Sequence, residues 1–378
     1  MLEFDDPEYR RFAKIKVLGI GGGGSNAVNR MINSGMKGIE FFTLNTDAQA
    51  LANSNAVHKI QIGSKLTKGL GSGANPEIGH QAALEDRKMV REALRDTDMV
   101  FLTAGLGGGT GTGATPILAE IAKELNILTI AVVTKPFLFE GRKRSLVADN
   151  GLNELRNKVD TLICIPNQKL FNVVDKGTSI LDAFKVADDV LARGVEGISD
   201  LVIESGLINL DFADLKTAMS EGGKSLLGVG YGRGKGRALN AANAAISSPL
   251  LEYPGIEGAK GVLINITGGK DLTLFEVNEA SSVIYESADR QANIIFGAIV
   301  KPKLSEEVKV TIIATGMDEV KPERLSRLHS SRKGQPNFDS PAYKRGRRER
   351  SSLNKDSDII DESDLDIPTF LRNKAPRH

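Results

Sequence analysis

The clearest chemistry in this chain lies in nine consecutive residues, Gly105-Leu106-Gly107-Gly108-Gly109-Thr110-Gly111-Thr112-Gly113. They follow the apolar run Met99-Val100-Phe101-Leu102 and precede a helix-compatible run that begins at Ala114. Glycine has no Cβ, so it reaches φ > 0 without strain and lets successive N–H groups turn toward one point. A helix starting just beyond adds unpaired N–H groups and the positive end of its dipole. Strand, glycine turn and helix in that order make an anion site, most often for phosphate, and the threonine hydroxyls can add hydrogen bonds or reach a metal ion. A plain linker between a strand and a helix has no use for six glycines in nine positions.

Two further glycine turns extend the pattern. Gly19-Ile20-Gly21-Gly22-Gly23-Gly24 fits G-x-G-x-x-G, between a strand over Lys14–Ile20 and a helix start over Ser25–Ile32, with Gly21 to Gly24 as the loop. Alone it suggests an NAD(P)-dependent oxidoreductase with Glu40 or Asp47 on the ribose. That alternative leaves 105–113 unexplained, whereas two phosphate turns on adjacent strand ends suit a triphosphate held from both sides. Gly69-Leu70-Gly71-Ser72-Gly73-Ala74-Asn75-Pro76 is the third turn. Gly223-Lys224-Ser225 imitates a P-loop, but Ala218 occupies the place of that motif's first glycine. Phosphate charge must then be met by backbone N–H groups, a metal ion and an arginine. The acids lie elsewhere: Asn209, Asp211 and Asp214 could converge where a loop enters a helix, and Asp211 or Asp214 equally suits a helix cap.

These residues need a frame. Phe41–Asp47, Met99–Ala104, Leu128–Thr134 and Thr161–Ile165 read as strands with helical stretches between them. The alternation predicts a mostly parallel sheet covered on both faces, with ligands at the C-terminal strand ends. Over 179–204, Ile180, Phe184, Ala187, Leu191, Val195, Ile198 and Val202 recur at helical steps, in a helix long enough to bridge two domains. Gly261–Thr267 and Val308–Thr315 read as strands around a helix near Leu274–Arg290. The fold class is α/β: a Rossmann-like, mostly parallel nucleotide-binding domain over 13–178, a central linking helix over 179–204 and a smaller α+β domain over 205–317.

The ends differ. Residues 1–12 read as a flexible, acidic N-terminus without the apolar core of a signal peptide. Residues 318–362 hold too little apolar surface to offset ordering and read as a disordered linker; the basic run 344–350 reads as solvated charge, with contact to nucleic acid or anionic lipid as the alternative. Residues 363–378 set Leu365, Ile367, Phe370 and Leu371 among acids, as a docking peptide on a tether does. The formal net charge of +1 gives no field toward nucleic acid, and no apolar run approaches about 18 residues, so neither a nucleic-acid partner nor membrane insertion is expected. The single cysteine, Cys164, fits a reducing cytoplasm and a small buried hydrophobe.

The run Gly107 to Gly113 resembles the signature loop of the tubulin/FtsZ family of GTPases, and other segments match its FtsZ branch in the same order over residues 12–317 and again at the C-terminus. The resemblance implies GTP as substrate and assembly ligand with Mg²⁺, and head-to-tail filaments forming the cytokinetic ring at the mid-cell of dividing bacteria. It assigns nucleotide contacts to Gly22, Gly23, Gly24, Ser25 and Asn26, with Ser25 where many members have Asn, and to Gly107, Gly108, Gly109, Thr110 and Gly111. It gives γ-phosphate sensing to Ser72, Gly73 and Ala74, and ribose and triphosphate contacts to Glu140 and Arg144, a pair that also suits a surface salt bridge. Asn167 matches the residue that reads guanine and Phe184 the one that stacks on it, although Phe184 alone suits core packing as well. Asp188 lies one helical turn beyond Phe184 on the same face, and a carboxylate accepts from N1–H and N2–H₂ of guanine but finds no such pair on adenine. The segment Asn209-Leu210-Asp211-Phe212-Ala213-Asp214 resembles the family's synergy loop, which implies that Asp211 and Asp214 polarise water and coordinate a cation in the next subunit's site, with Asn209 orienting. Asp366, Ile367, Pro368, Phe370, Leu371 and Arg372 resemble the family's terminal peptide, which binds membrane tethers and division regulators.

Overall fold

Apolar runs too continuous for a half-exposed strand build the centre of this protein. In the computed structural model, which describes residues 13–204, 206, 208, 211–220, 224–248, 255–301, 304 and 306–317, they are buried on both faces of one sheet. Residues 1–12, the linker and the terminal peptide with Asp366, Ile367, Pro368, Phe370, Leu371 and Arg372 lie outside the described residues, as does Asn209.

The elements follow in order: β1 (Ile15–Ile20), α1 (Gly21–Asn33), β2 (Ile39–Asn45), α2 (Ala48–Ala52), β3 (His58–Gln61), α3 (Ser64–Thr67), α4 (Pro76–Glu85), α5 (Arg87–Ala93), β4 (Met99–Gly105), α6 (Thr110–Glu124), β5 (Leu128–Lys135), α7 (Arg142–Arg156), β6 (Thr161–Pro166) and α8 (Ile180–Ile203). Then come α9 (Phe212–Met219), β7 (Lys224–Arg233), α10 (Arg237–Ile246), β8 (Gly261–Gly268), α11 (Leu274–Ser287), β9 (Asn293–Val300) and β10 (Glu307–Met317). Among the described residues the strands form one sheet in the order β3-β2-β1-β4-β5-β6-β7-β10-β8-β9. Pairing is parallel except where β10 runs antiparallel between β7 and β8. The join between the two halves is narrow: among the described residues β6 meets β7 at Leu162↔Lys224 and Ile163↔Ser225.

Strand alternation divides the core. Ile15 and Val17 of β1 face one cluster with α1 and α8; Leu18 and Ile20 face the other with α4, α5 and α6. A third cluster lies among α10, α11, β8 and β10. The long helix α8 starts where Ser179 caps it, accepting from the Asp182 N–H at 3.1 Å. Its last residue, Ile203, reaches Gly38, just before β2: a Cβ on Gly38 would sit 2.8 Å from Ile203 Cγ2.

Several expectations need correction. Gly21 to Gly24 are not a loop but the first turn of α1, and α6 opens at Thr110 rather than Ala114. Here glycine allows close approach as well as bending: a Cβ on Gly24 would lie 2.3 Å from the Thr103 carbonyl oxygen, and one on Gly113 only 1.9 Å from that of Pro76. The turn at 69–75 does not follow a strand; it joins α3 to α4 and reaches the sheet edge through tertiary contacts. The helix near 274–290 ends at Ser287, and Lys224-Ser225 begin a strand rather than opening a helix, which removes the P-loop context. Strands β3, β7 and β9 have no counterpart in the sequence reading; glycines at 228, 230 and 232 disguise β7, and each admits α10 backbone at about 2 Å from a would-be Cβ.

The close approach of α6 to α4 is testable. Gly113→Ala should lower stability by roughly 1–3 kcal/mol in denaturant titrations, because both obstacles, the Pro76 carbonyl and the His80 N–H, are backbone and cannot swing away. A change within 0.5 kcal/mol would show that α4 yields at little cost.

Candidate functional site

The parallel strands β1, β2, β4, β5 and β6 all end at one edge, and the residues singled out in the sequence gather there. The starts of α1 and α6 lie side by side: a Cβ on Gly21 would come 2.9 Å from the Gly111 nitrogen, and one on Gly23 would come 3.2 Å from the Gly105 nitrogen. Gly22 and Gly108 instead face open space, with nothing within 4 Å of a would-be Cβ. Each helix brings unpaired first-turn N–H groups and a positive dipole end to this mouth. Among the described residues no acceptor takes the N–H of Gly108 or Gly109. Gly107 differs from its expected role, since its N–H donates inward to Thr112 Oγ1 at 2.8 Å. Ser25 is buried and its Oγ has no hydrogen-bond partner.

The 69–75 turn closes one side. Lys68, Gly69, Gly71, Gly73 and Ala74 all have positive φ, and Ala74 at +59° holds a conformation that costs a residue with a Cβ about 1 kcal/mol. Tertiary bonds hold it there. The Gly71 N–H and the Thr67 hydroxyl donate to the Thr46 carbonyl at 3.2 and 3.1 Å. Ser72 Oγ lies 3.0 Å from Thr110 Oγ1, which in turn lies 2.7 Å from Thr46 Oγ1. Gly109 makes room for this, since a Cβ there would meet Ser72 Oγ at 2.2 Å. Thr46 was missed by the sequence reading; its one signal is the polar ending of β2, Asn45-Thr46-Asp47.

The other side is aromatic. Buried Phe137 stacks on Phe139 at 4.9 Å and meets Phe171 and Phe184 edge-on at 5.7 and 5.5 Å. Phe184 keeps 39% of its surface exposed, so its ring is supported from behind and open in front. Glu140 accepts from the Phe137 N–H at 2.8 Å and pairs with Arg144 at 3.1 Å, the i,i+4 salt bridge. Asn167 is 5% exposed and its buried Oδ1 has no partner. Such a group costs about 1–3 kcal/mol unless something bonds to it, and a base with an N–H donor would do so.

Asp188 completes this side. Burial, and then the neighbouring Asp189 carboxylate, push its carboxyl up to about 7, with Arg30 pulling the other way. The Arg30 guanidinium is engaged elsewhere, gripping Asp189 with two nitrogens, one at 2.9 Å. That pair, which no motif announced, ties α1 to α8 beside Asp188.

The acids of α9 are not here. Asp211 caps that helix, accepting from the Asp214 N–H at 2.7 Å. The far end of α9 rests on the opening of β6, where the Thr161 hydroxyl donates to the Met219 carbonyl at 2.5 Å. Asn167 follows the other end of the same strand, about 16–20 Å away at a strand's rise per residue. Among the described residues no group of three or more His, Cys, Asp or Glu side chains could hold a metal ion.

Comparison with known proteins gives the family. Residues 14–175 match the family model described as Tubulin/FtsZ family, GTPase domain, and residues 223–318 match FtsZ family, C-terminal domain. An FtsZ dimer structure from M. jannaschii is similar over 82% of this chain and 90% of that one, with 46% identity and a TM-score of 0.78. Two Haloferax volcanii structures share the fold at a TM-score of 0.69. They are a GTPγS-bound protofilament of CetZ2, at 19% identity over 84% of this chain and 97% of that one, and a GDP-bound monomer of CetZ1, at 22% over 84% and 98%.

The raised carboxyl of Asp188 sets a pH dependence. Between the ordinary carboxylate range and about pH 7 the folded chain keeps a proton there that the unfolded chain has lost, so stability falls as pH rises through that window. Asp188→Asn removes the fall. At pH 8 it should be more stable than the parent by roughly 1–3 kcal/mol, with the advantage gone near pH 4. An equal difference at both pH values would contradict the burial of this charge.

Proposed function

The chain belongs to the tubulin/FtsZ family and is a tubulin-like GTPase, and from that premise we propose that it assembles head-to-tail and hydrolyses GTP where one subunit completes the site of the next. The observation that supports this reading is the course of α8, which leaves the nucleotide edge after Phe184 and Asp188 and ends with Ile203 against Gly38 at the start of β2, a few residues before the α9 acids. Acids at the opposite edge serve a neighbour's nucleotide or none. A contact between two different surfaces that does not close on itself builds a filament. We assign such filaments to the cytokinetic ring of dividing cells. The terminal peptide, with Asp366 to Arg372, links them to membrane tethers and division regulators.

In this reading the phosphates lie across the starts of α1 and α6, against Gly22, Gly23, Gly24, Ser25, Asn26 and Gly107 to Gly111, with the 69–75 turn over the γ-phosphate. Gly107 contributes shape rather than its N–H, which Thr112 already takes. Guanine stacks on Phe184, donates from N1–H and N2–H₂ to ionised Asp188, and gives Asn167 the partner its Oδ1 lacks. Glu140 exchanges Arg144 for the ribose hydroxyls, and Arg144 turns to the phosphates. Apart from Arg144, the chain's own donors at the phosphates are neutral hydroxyls and backbone N–H groups. Mg²⁺ would supply the missing positive charge, held by phosphate oxygens, water and Asp47, whose Oδ1 caps α2. Asp214 and Asp211 on the incoming subunit polarise the attacking water and would coordinate a cation, with Asn209 orienting; the Asp211 cap fixes the first turn that presents Asp214.

Light scattering after addition of GTP, with GDP and ATP as controls, tests assembly, and subunit mixing tests the composite site. Gly108→Asp puts a negative charge in the phosphate mouth at a position with open space; Asp214→Ala removes the acid at the other end. Each variant alone should lose GTP turnover by roughly a hundredfold. An equimolar mixture should recover about a quarter of normal activity, since one junction in four joins an intact mouth to an intact acid. Absence of recovery in co-assembled filaments would refute the shared site.

Base selectivity gives a second test. Because guanine needs the ionised carboxyl, GTP affinity should weaken about tenfold from pH 8 to pH 6. Asp188→Asn should abolish that slope and prefer xanthosine triphosphate, whose C2 carbonyl accepts from an amide.

A further inference from the structure

Three hydroxyls, Thr46, Ser72 and Thr110, form a chain whose hydrogen count is informative. Thr46 Oγ1 to Thr110 Oγ1 is 2.7 Å and Ser72 Oγ to Thr110 Oγ1 is 3.0 Å, and all three residues are buried. Among the described residues none of these oxygens has another hydrogen-bond partner. Each hydroxyl carries one hydrogen and two lone pairs. Two contacts use two hydrogens, which leaves one over. If Thr110 donates to either neighbour, the spare hydrogen stays on an outer hydroxyl. If Thr46 and Ser72 both donate to Thr110, they fill its two lone pairs, and its own hydrogen is the one left to point away.

Thr110 is the first residue of α6, next to the unpartnered N–H groups of Gly108 and Gly109. An anion at that helix start favours the second arrangement, because it supplies the acceptor the spare hydrogen needs. We infer that Thr46 is a positioning residue which, together with Ser72, locks Thr110 as a hydrogen-bond donor to the terminal phosphate of the nucleotide. This rests on the phosphate reading above. Thr46 suits this role because it is fully buried, its carbonyl carries the Gly71 N–H and the Thr67 hydroxyl, and its hydroxyl reaches α6. The same residue therefore fixes the 69–75 turn and the polarity of the hydroxyl chain. In this arrangement the Thr110 oxygen has no lone pair left for a metal ion.

The experiment compares affinities for GDP and a non-hydrolysable GTP analogue by fluorescence competition, at protein concentrations too low for assembly. Thr46→Val keeps the shape and removes the hydroxyl. It should weaken the triphosphate by roughly three- to tenfold and GDP by less than twofold. Thr46→Ser should restore the triphosphate affinity. Ser72→Ala should repeat the selective loss, and Thr46→Ala, which removes the same hydroxyl, decides the matter if Thr46→Val fails to fold. Equal losses for both nucleotides, or no loss for either, would overturn the inference while leaving the phosphate site intact. A parent chain that binds neither nucleotide would overturn the phosphate reading and the inference with it.

Discussion

Backbone against backbone is the contact on which this site depends. Helix α1 can begin directly on β1 and β4 only because Gly19 and Gly24 put nothing between them: a Cβ on Gly19 would lie 2.4 Å from the Gly24 carbonyl oxygen, and one on Gly24 would lie 2.3 Å from that of Thr103. Helix α6 approaches α4 in the same way at Gly113 and Gly79. These approaches bring two helix starts and one turn into a single mouth, so that the first-turn N–H groups of both helices meet there. A methyl group at any of these places would separate the helices and divide the mouth before touching a ligand.

Helix α8 sets the second scale. With 24 residues it is about 36 Å long, enough to run from the aromatic side of the mouth to the opposite edge of the sheet. Its first half presents Phe184 and Asp188. Its second half is tied to the C-terminal strands by Glu196 with Lys309 at 2.6 Å and Asp200 with Lys301 at 2.8 Å. Lys309 is buried, which makes these ties more costly to break than surface pairs. The helix therefore joins the edge that holds the nucleotide residues to the half of the sheet that carries the α9 acids.

The mouth itself is not optimised for stability. Asn167 keeps an unpartnered buried oxygen, Ser25 an unpartnered hydroxyl, Asp188 a carboxyl pushed up to about 7 and Ala74 a left-handed backbone. Each is unfavourable in the chain alone, which is the pattern of a site kept for a ligand rather than for stability. Their concentration at one sheet edge separates this region from the two apolar cores beneath it.

Much of this was legible in the chain. Glycine runs between apolar strands and helices mark phosphate turns because backbone conformation is a local property, and helical steps marked α8 because amphipathic periodicity is local too. The order of motifs was enough to give the family. Other features depend on residues far apart in sequence. Whether Gly21 to Gly24 bend or wind depends on how closely a strand lies beneath them. The pairing of Thr46 with Thr110, the grip of Arg30 on Asp189 and the loss of the Gly107 N–H to Thr112 arise from contacts that the sequence does not reveal. Strand β7 was hidden because its glycines interrupt the apolar pattern, while pairing with β10 supplies the missing stability; the apolar run of β9 was simply not read as a strand. The sequence by itself determined which groups could meet a nucleotide; the tertiary structure decided which of them share an edge, because the course of α8 from Asp188 to the start of β2, not motif spacing, carries the chain away from that edge before Asp214.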